Sequence, residues 1–274
     1  MDPGPKATEE SVLAIRHWTP TLLSFRTTRP AAFRFRPGHY TRLGLEGSGE
    51  TVWRPFSMAS AANDDFLEFI AVRVPDGPFS ERLGRLQRGD PIGVDKAAYG
   101  FLTLDQLAPG KDLWMLASGT GLGPFISILR GKEVWRDFRR LILVHSVRRS
   151  AELAWRDEIQ ALSDDPPAAS ATLTYLPVVT REPGATPLAE RISRLLSAGL
   201  LEAAADASIT VAESRLMVCG NPEMTRDLRE YLGVRGFAKG CEIKIDACTR
   251  TQDHPPSRKQ VQPHQRARQH VRLV

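Results

Sequence analysis

Cysteine is scarce in this chain: Cys219, Cys241 and Cys248 are the only three among 274 residues. Their number and scatter exclude a disulfide framework. They also exclude an iron–sulfur cluster, which takes four thiolates at set spacing, so any redox cofactor must be organic. Long hydrophobic runs are lacking as well. No stretch approaches the ~20 apolar residues of a membrane span, and the first residues, with Asp2, Glu9 and Glu10 ahead of any apolar segment, do not read as a secretory signal. The expected location is the cytoplasm, with no membrane partner. Metal-ligand spacing is missing too. His254, His264 and His270 are three of the six histidines and stand without a supporting cysteine pattern, so no metal is expected. Nor does one sign of charge dominate: 37 Lys and Arg against 32 Asp and Glu leave +5, which reads as a solvated surface or as mild attraction to an acidic partner. Nucleic-acid binding is not expected.

What is present is a globular composition, 42% hydrophobic and 25% charged, over a length that favours two domains. Residues 11–106 hold short alternating runs broken by Gly, Pro and Asn-Asp: SVLAIRHW, LLSFRTT, HYTRLGL, FLEFIAVRV and DPIGVD. Closely spaced runs of this kind predict an antiparallel barrel or sandwich. From Lys111 the pattern becomes apolar strand followed by helix, four times over: DLWMLAS then FISILRG, LILVHSV then AELAWRDEIQAL, TLTYLPVVT then PLAERISRLLSAGLLEAA, and RLMVCG then PEMTRDLREYL. That predicts a parallel sheet covered on both faces, over residues 111–238, with a linker at 107–111. Residues 1–10 read as an extension. Residues 239–274, polar and rich in Gln, Arg and His, read as a basic tail without regular structure.

The richest segment is 112–131, DLWMLASGTGLGPFISILRG, in which an apolar strand enters Gly119, Thr120 and Gly121 and a helix follows. Glycines let such a turn close tightly and let main-chain N–H groups approach a diphosphate; the same turn also serves as a plain tight connection. In open α/β sheets ligands lie beyond the carboxyl ends of strands. Residues 119–121, 145–149, 180–181 and 219–221 all stand at such ends, which predicts one crevice lined by four of them.

Upstream stands Arg54-Pro55-Phe56-Ser57, and downstream Cys219-Gly220-Asn221-Pro222. A barrel carrying Arg-Pro-Phe-Ser, followed by a nucleotide domain carrying Gly-Thr-Gly-Leu-Gly-Pro and then Cys-Gly-Asn-Pro, resembles the ferredoxin–NADP(+) reductase superfamily. The likeness is greatest to the bacterial ferredoxin/flavodoxin reductases and covers roughly residues 10–238. The resemblance implies FAD and NADPH as cofactors. It assigns Arg54 to the FAD diphosphate, a role suited to a planar fork of donors. It places Phe56 on the isoalloxazine and Ser57 beside flavin N5, with Pro55 between Arg54 and Phe56. In the stretch VRVPDGPFS it places Val72 and Val74 along the flavin, and Gly77, Pro78, Phe79 and Ser80 at a second diphosphate-facing helix start. Tyr99 falls where the family often keeps an adenine-contacting loop, or is a surface tyrosine.

For the coenzyme, the resemblance assigns Gly119, Thr120 and Gly121 to the nicotinamide-nucleotide turn, with Pro124 opening the helix. Arg148, Arg149, Arg181 and Arg191 fall to the 2′-phosphate, and Cys219, Gly220 and Asn221 to closing the nicotinamide pocket. No carboxylate ends LILVHSV, where a site for NAD would favour one, so NADPH is the expected coenzyme. The implied function passes hydride from NADPH to FAD and then single electrons to ferredoxin or flavodoxin, reversibly in principle, in a monomer. The family's ending is absent: the chain departs after Gly236-Phe237-Ala238. Two other readings therefore stand beside the first, a reductase component of an oxygenase or other electron-transfer system, and a flavin-binding protein with impaired turnover.

Overall fold

The computed structural model describes residues 6–47, 49–168, 171–238, 240 and 242–247. Six strands build the first half: β1 (Ala7–His17), β2 (Leu22–Thr28), β3 (Tyr40–Gly47), β4 (Glu50–Ser57), β5 (Phe66–Val72) and β6 (Pro91–Asp95). They form one antiparallel sheet in the order β4-β3-β6-β1-β2-β5. A single bridge between Met58, just past β4, and Phe69 of β5 brings the two edges together, so the sheet curls into a barrel. Period-two alternation points Leu23 and Phe25, Leu43 and Leu45, Leu67 and Phe69, and Ile92 and Val94 into one core, each contributing about 1.5–3 kcal/mol by burial. A short helix, α1 (Pro78–Leu83), follows β5. The expected extension is corrected at its inner end: β1 begins at Ala7 and pairs with β6 from there.

The second half contains β7 (Asp112–Ser118), α2 (Gly123–Leu129), α3 (Glu133–Asp137), β8 (Arg140–Val147), α4 (Arg156–Asp164), β9 (Thr172–Val179), α5 (Ile192–Ser197), α6 (Leu200–Ala205), β10 (Ser214–Gly220), α7 (Pro222–Val234) and β11 (Ile243–Ala247). The strands lie parallel in the order β11-β10-β7-β8-β9. Leu113, Met115 and Ala117 of β7 face α2, α3 and α4, while Trp114 and Leu116 face α5, α6 and α7. Both faces are therefore dry, which is why these strands read as continuous apolar runs. The long apolar period after β9 is split into α5 and α6 at Gly199, whose φ of 71° ends the first helix.

The reading of residues 239–274 as a tail without regular structure is corrected over its first part. Ile243–Ala247 forms β11 along the open edge of β10, with Leu216 opposite Ile243 and Cys219 opposite Asp246. Five residues are too few for a sequence period to announce them; the waiting edge of β10 supplies the order. The remainder of that segment lies outside the described residues.

The halves share a core. Leu22, Ala59 and Ile70 from the barrel and Leu102 from the connection pack with α2 and the sheet behind it. Trp18 meets Trp155 edge-on at 5.7 Å. The connection at 107–111 is pinned by Arg215, buried on β10, which donates to the carbonyl oxygens of Ala108 at 3.0 Å and of Pro109.

Candidate active site

The motif Arg-Pro-Phe-Ser ends β4, an edge strand, where proline costs no ladder bond. Arg54 lies opposite Leu43, Phe56 opposite Thr41 and Ser57 opposite Tyr40. Arg54 Nη1 donates to the carbonyl of Trp53 at 2.9 Å. The Phe56 ring is half-buried and sits 5.3 Å from Phe79, with Phe25 and Phe69 each at 6.3 Å. Phe79 in the first turn of α1 thereby ties the loop after β5 to the end of β4. Within that loop the Ser80 hydroxyl accepts the Val74 N–H at 2.9 Å, Pro78 opens α1 behind Gly77, and Asp76 takes a left-handed φ of 59°. Phe79 and Ser80 are buried, Val74 half-buried and Val72 exposed. Tyr99 lies beside Tyr40 at 5.7 Å, exchanges main-chain bonds with it, and donates its hydroxyl to Asp95 at 3.2 Å. The Tyr99 loop thus lies across Tyr40 from Ser57, with β3 between them.

At the end of β7 the glycine turn is built by main chain lying on main chain. A Cβ at Gly121 would run into the Cys219 carbonyl and stand 2.8 Å from Gly220 Cα. Gly220, at φ 143°, meets Ser118 in the same way. Ser118 Oγ accepts the Asn221 N–H at 2.9 Å, and Asn221 Oδ1 accepts the Glu223 N–H at 2.8 Å, capping α7 behind Pro222. The Cys219 side chain is buried. Gly119 differs from its neighbours: its φ is 55° and nothing lies within 4 Å of where its Cβ would be, so this main chain faces open space above the strand ends. Pro124 is buried in the first turn of α2.

The four arginines separate into two groups. Arg148, Arg149 and Arg181 lie exposed at the adjoining ends of β8 and β9, where the Arg181 N–H donates to the Arg148 carbonyl at 2.9 Å. Two carboxylates stand near, and both are committed to neighbouring groups. Glu152 accepts the N–H groups of Arg148 and Arg149 at 2.8 and 3.1 Å, and Glu182 accepts from Ser150 N and Oγ at 2.8 and 2.9 Å. Ser150's two bonds, main chain first, hold the Glu182 carboxyl below its ordinary value. Arg191 stands apart at the start of α5, paired with Glu223 of α7 at 3.1 Å.

Two residues central to this geometry were given no individual role in the sequence reading, which placed His145 only in the strand end 145–149 lining the crevice. His145, fully buried on β8, places Nε2 3.2 Å from the Gly119 carbonyl, and burial pushes its pKa down to about 4, so the ring is neutral with Nε2–H donating. A lone histidine inside LILVHSV is the one signal that pointed to it. Arg130, directly after α2, gave no signal, because its partners Glu68 and Glu158 are distant in sequence. Its setting matters because it closes the helix along which the two candidate motifs meet: at the start of α2 the Ser57 carbonyl lies 3.8 Å from where a Cβ of Gly123 would stand, and one turn on Ser127 Oγ donates to the Ser60 carbonyl at 2.6 Å. The described residues hold no group of three or more His, Cys, Asp or Glu side chains arranged to bind a metal, and no helix among them is long and apolar enough to cross a membrane.

Residues 15–100 match the oxidoreductase FAD-binding domain and residues 115–230 the oxidoreductase NAD-binding domain. The chain is 39% identical over 241 residues to ferredoxin–NADP reductase A of Sorangium cellulosum, covering 86% of each protein. It is 39% identical over 217 residues to flavodoxin/ferredoxin–NADP reductase of Escherichia coli, covering 79% of this chain and 86% of that one. A ferredoxin NADP+ reductase from Neisseria gonorrhoeae, solved with bound FAD and NADP, superimposes with a TM-score of 0.83 at 37% identity over 88% of this chain and 98% of its own. With relatives this similar over both halves, the chain belongs to the ferredoxin–NADP reductase family.

Proposed function

We propose that the protein is an NADPH-dependent flavoprotein reductase that holds FAD on the barrel side of the domain junction, takes its coenzyme on the strand ends of the parallel sheet, and serves an acidic one-electron carrier, ferredoxin or flavodoxin. The observation that carries this reading is the meeting of the end of β4 with the start of α2, Ser57 against Gly123, which sets an Arg-x-aromatic-Ser strand beside a glycine turn. The residues fit the two groups. The turn offers main chain to open space at Gly119, while the close approach at Gly121 and Gly220 leaves no side chain in the way.

FAD, when bound, supplies the conversion between a two-electron hydride donor and one-electron carriers. The chain's own part is binding, orientation and electrostatics. Arg54 and the main chain of residues 77–80 hold the diphosphate, with Pro55 and Pro78 stiffening the two segments. Phe56, braced by Phe79, would pack on the ring system; Ser57 would offer a hydroxyl, and Val72 and Val74 would supply an apolar wall. On the coenzyme side, Gly119, Thr120 and Gly121 hold a diphosphate, with Pro124 fixing the start of α2. Arg148, Arg149, Arg181 and Arg191 receive the 2′-phosphate by charge-assisted bonds. Cys219, Gly220 and Asn221 would close the nicotinamide pocket. Glu152 and Glu182 already serve main-chain and serine donors and so are not disposed to a ribose hydroxyl, which supports NADPH over NADH. A monomer in a cytoplasmic setting completes the proposal.

The test mixes the FAD-bound protein anaerobically with NADPH or NADH while the visible flavin absorbance is followed. Rapid bleaching by NADPH with slow bleaching by NADH is expected. Bound flavin that neither coenzyme bleaches would overturn the reductase reading.

A further inference from the structure

At the opposite end of α2 from the glycine turn, Arg130 makes a bridge between the two halves. Nε and Nη2 take both oxygens of Glu158 on α4 at 2.6 and 2.9 Å. Nη1 reaches Glu68 Oε2 on β5 at 2.5 Å and the Ala59 carbonyl at 2.8 Å. Glu68 is 5% exposed and is held in turn by Arg26 Nε at 3.0 Å. Its main chain is fixed as well, donating to Ser60 Oγ at 3.2 Å and accepting from Ala59 N at 2.7 Å. Arg26, Arg130, Glu68 and Glu158 thus close a charge-balanced network with one foot in each domain. Glu68 and Arg130 are its inner members, with Arg26 and Glu158 at the rim; a sequestered pair of this kind is a weak source of stability compared with apolar packing of the same volume, and its geometry is far more specific.

Ala59 and Ser60 follow Ser57 within three residues, and α2 begins two residues after Gly121. One two-turn helix therefore touches the end of the flavin-side motif at Gly123 and is locked to the segment following that motif at Arg130. We propose that Arg130 is a positioning residue: through Glu68 and Glu158 it fixes the orientation of the nicotinamide-side turn relative to the flavin-side strand, and so the distance over which reducing equivalents pass. This rests on the reductase reading given above.

The test compares wild type, Arg130→Met, Arg130→Lys and Glu158→Gln as FAD-bound full chains. Glu158→Gln leaves Arg130 paired with Glu68, and so carries the test should Arg130→Met not fold. Three quantities are read: flavin bleaching at saturating NADPH, affinity for NADP+ by titration, and the calorimetric unfolding profile. Because a misplacement on the order of 1 Å costs ~10²-fold in rate, Arg130→Met is expected to bleach ~10²-fold more slowly while FAD content and NADP+ affinity stay near wild type. Arg130→Lys should recover part of the rate, and Glu158→Gln should show a smaller loss of the same kind. The single unfolding transition of wild type is expected to separate into two in Arg130→Met. Wild-type bleaching together with one transition would overturn the proposal. So would a parallel fall in FAD content, NADP+ affinity and rate, which marks a merely structural role. If wild type itself is not bleached by either coenzyme, the reductase reading fails, and the calorimetric profile alone then decides whether Arg130 joins the domains.

Discussion

In the barrel, Phe56 and Phe79 are held ring against ring, 5.3 Å between centroids, with Phe25 and Phe69 behind them. In the parallel sheet, the turn at 119–121 is held by main chain against main chain, with Gly121 on the Cys219 carbonyl and Gly220 on Ser118. One half is positioned by volume that must be present, the other by volume that must be absent. The two should fail in opposite ways, the first when atoms are removed and the second when they are added.

The largest effect is expected in the barrel. Phe79 is 2% exposed, and Phe79→Ala should cost about 3–5 kcal/mol, read from the urea midpoint at constant slope. A loss below about 1 kcal/mol would break the comparison at its first term. Next comes the proton balance of His145. Its native pKa near 4 lies below its ordinary 6.5, so between those values the unfolded chain binds a proton that the native chain does not. The stability His145 preserves is complete above about pH 6.5 and is lost as pH falls toward 4, amounting to about 3 kcal/mol over the window. His145→Gln should flatten that part of the stability-against-pH curve, and an unchanged slope would show that other groups carry it.

Gly121→Ala should cost about 1–3 kcal/mol and sharply weaken NADP+ binding, because the atom in the way is a backbone carbonyl that no rotamer change can move. Gly119→Ala sharpens the point. Its Cβ meets open space at a left-handed φ, so the cost is conformational strain alone, about 1–2 kcal/mol. A Gly119→Ala loss larger than that of Gly121→Ala would mean that strain and not contact governs this turn. The smallest effect on stability belongs to Arg191→Ala, which removes an exposed ion pair with Glu223 worth about 0–1 kcal/mol. Its consequence should appear as weaker NADP+ binding with NAD+ binding unchanged; equal changes for both would remove Arg191 from the 2′-phosphate set.

Much of this architecture is legible in the residues. Short runs such as LLSFRTT and FLEFIAV, broken by turn residues, announce an antiparallel sheet, and continuous apolar runs such as DLWMLAS announce strands buried on both faces. Motif order separates the flavin half from the coenzyme half. The strand β4 did not stand out as a run, because ETVWRPFS carries Arg and Pro where alternation would place apolar residues, and an edge strand at a domain junction tolerates both. Strand β11 was hidden for a different reason: IKIDA is short, and its order comes from the unpaired edge of β10.

The sequence by itself determined the period of each element and the order of its motifs, because these depend on neighbours within one turn or one strand; that Gly121 and Gly220 must be glycine was decided across the sheet, by Cys219 and Ser118 on the facing strands. Tertiary structure alone decided that the Gly119 carbonyl faces His145, that Ser57 faces Gly123, and that Arg130 finds Glu68 and Glu158. Each of those contacts joins residues many positions apart, and short-range pattern carries no information about which distant side chain the packed core will bring into reach.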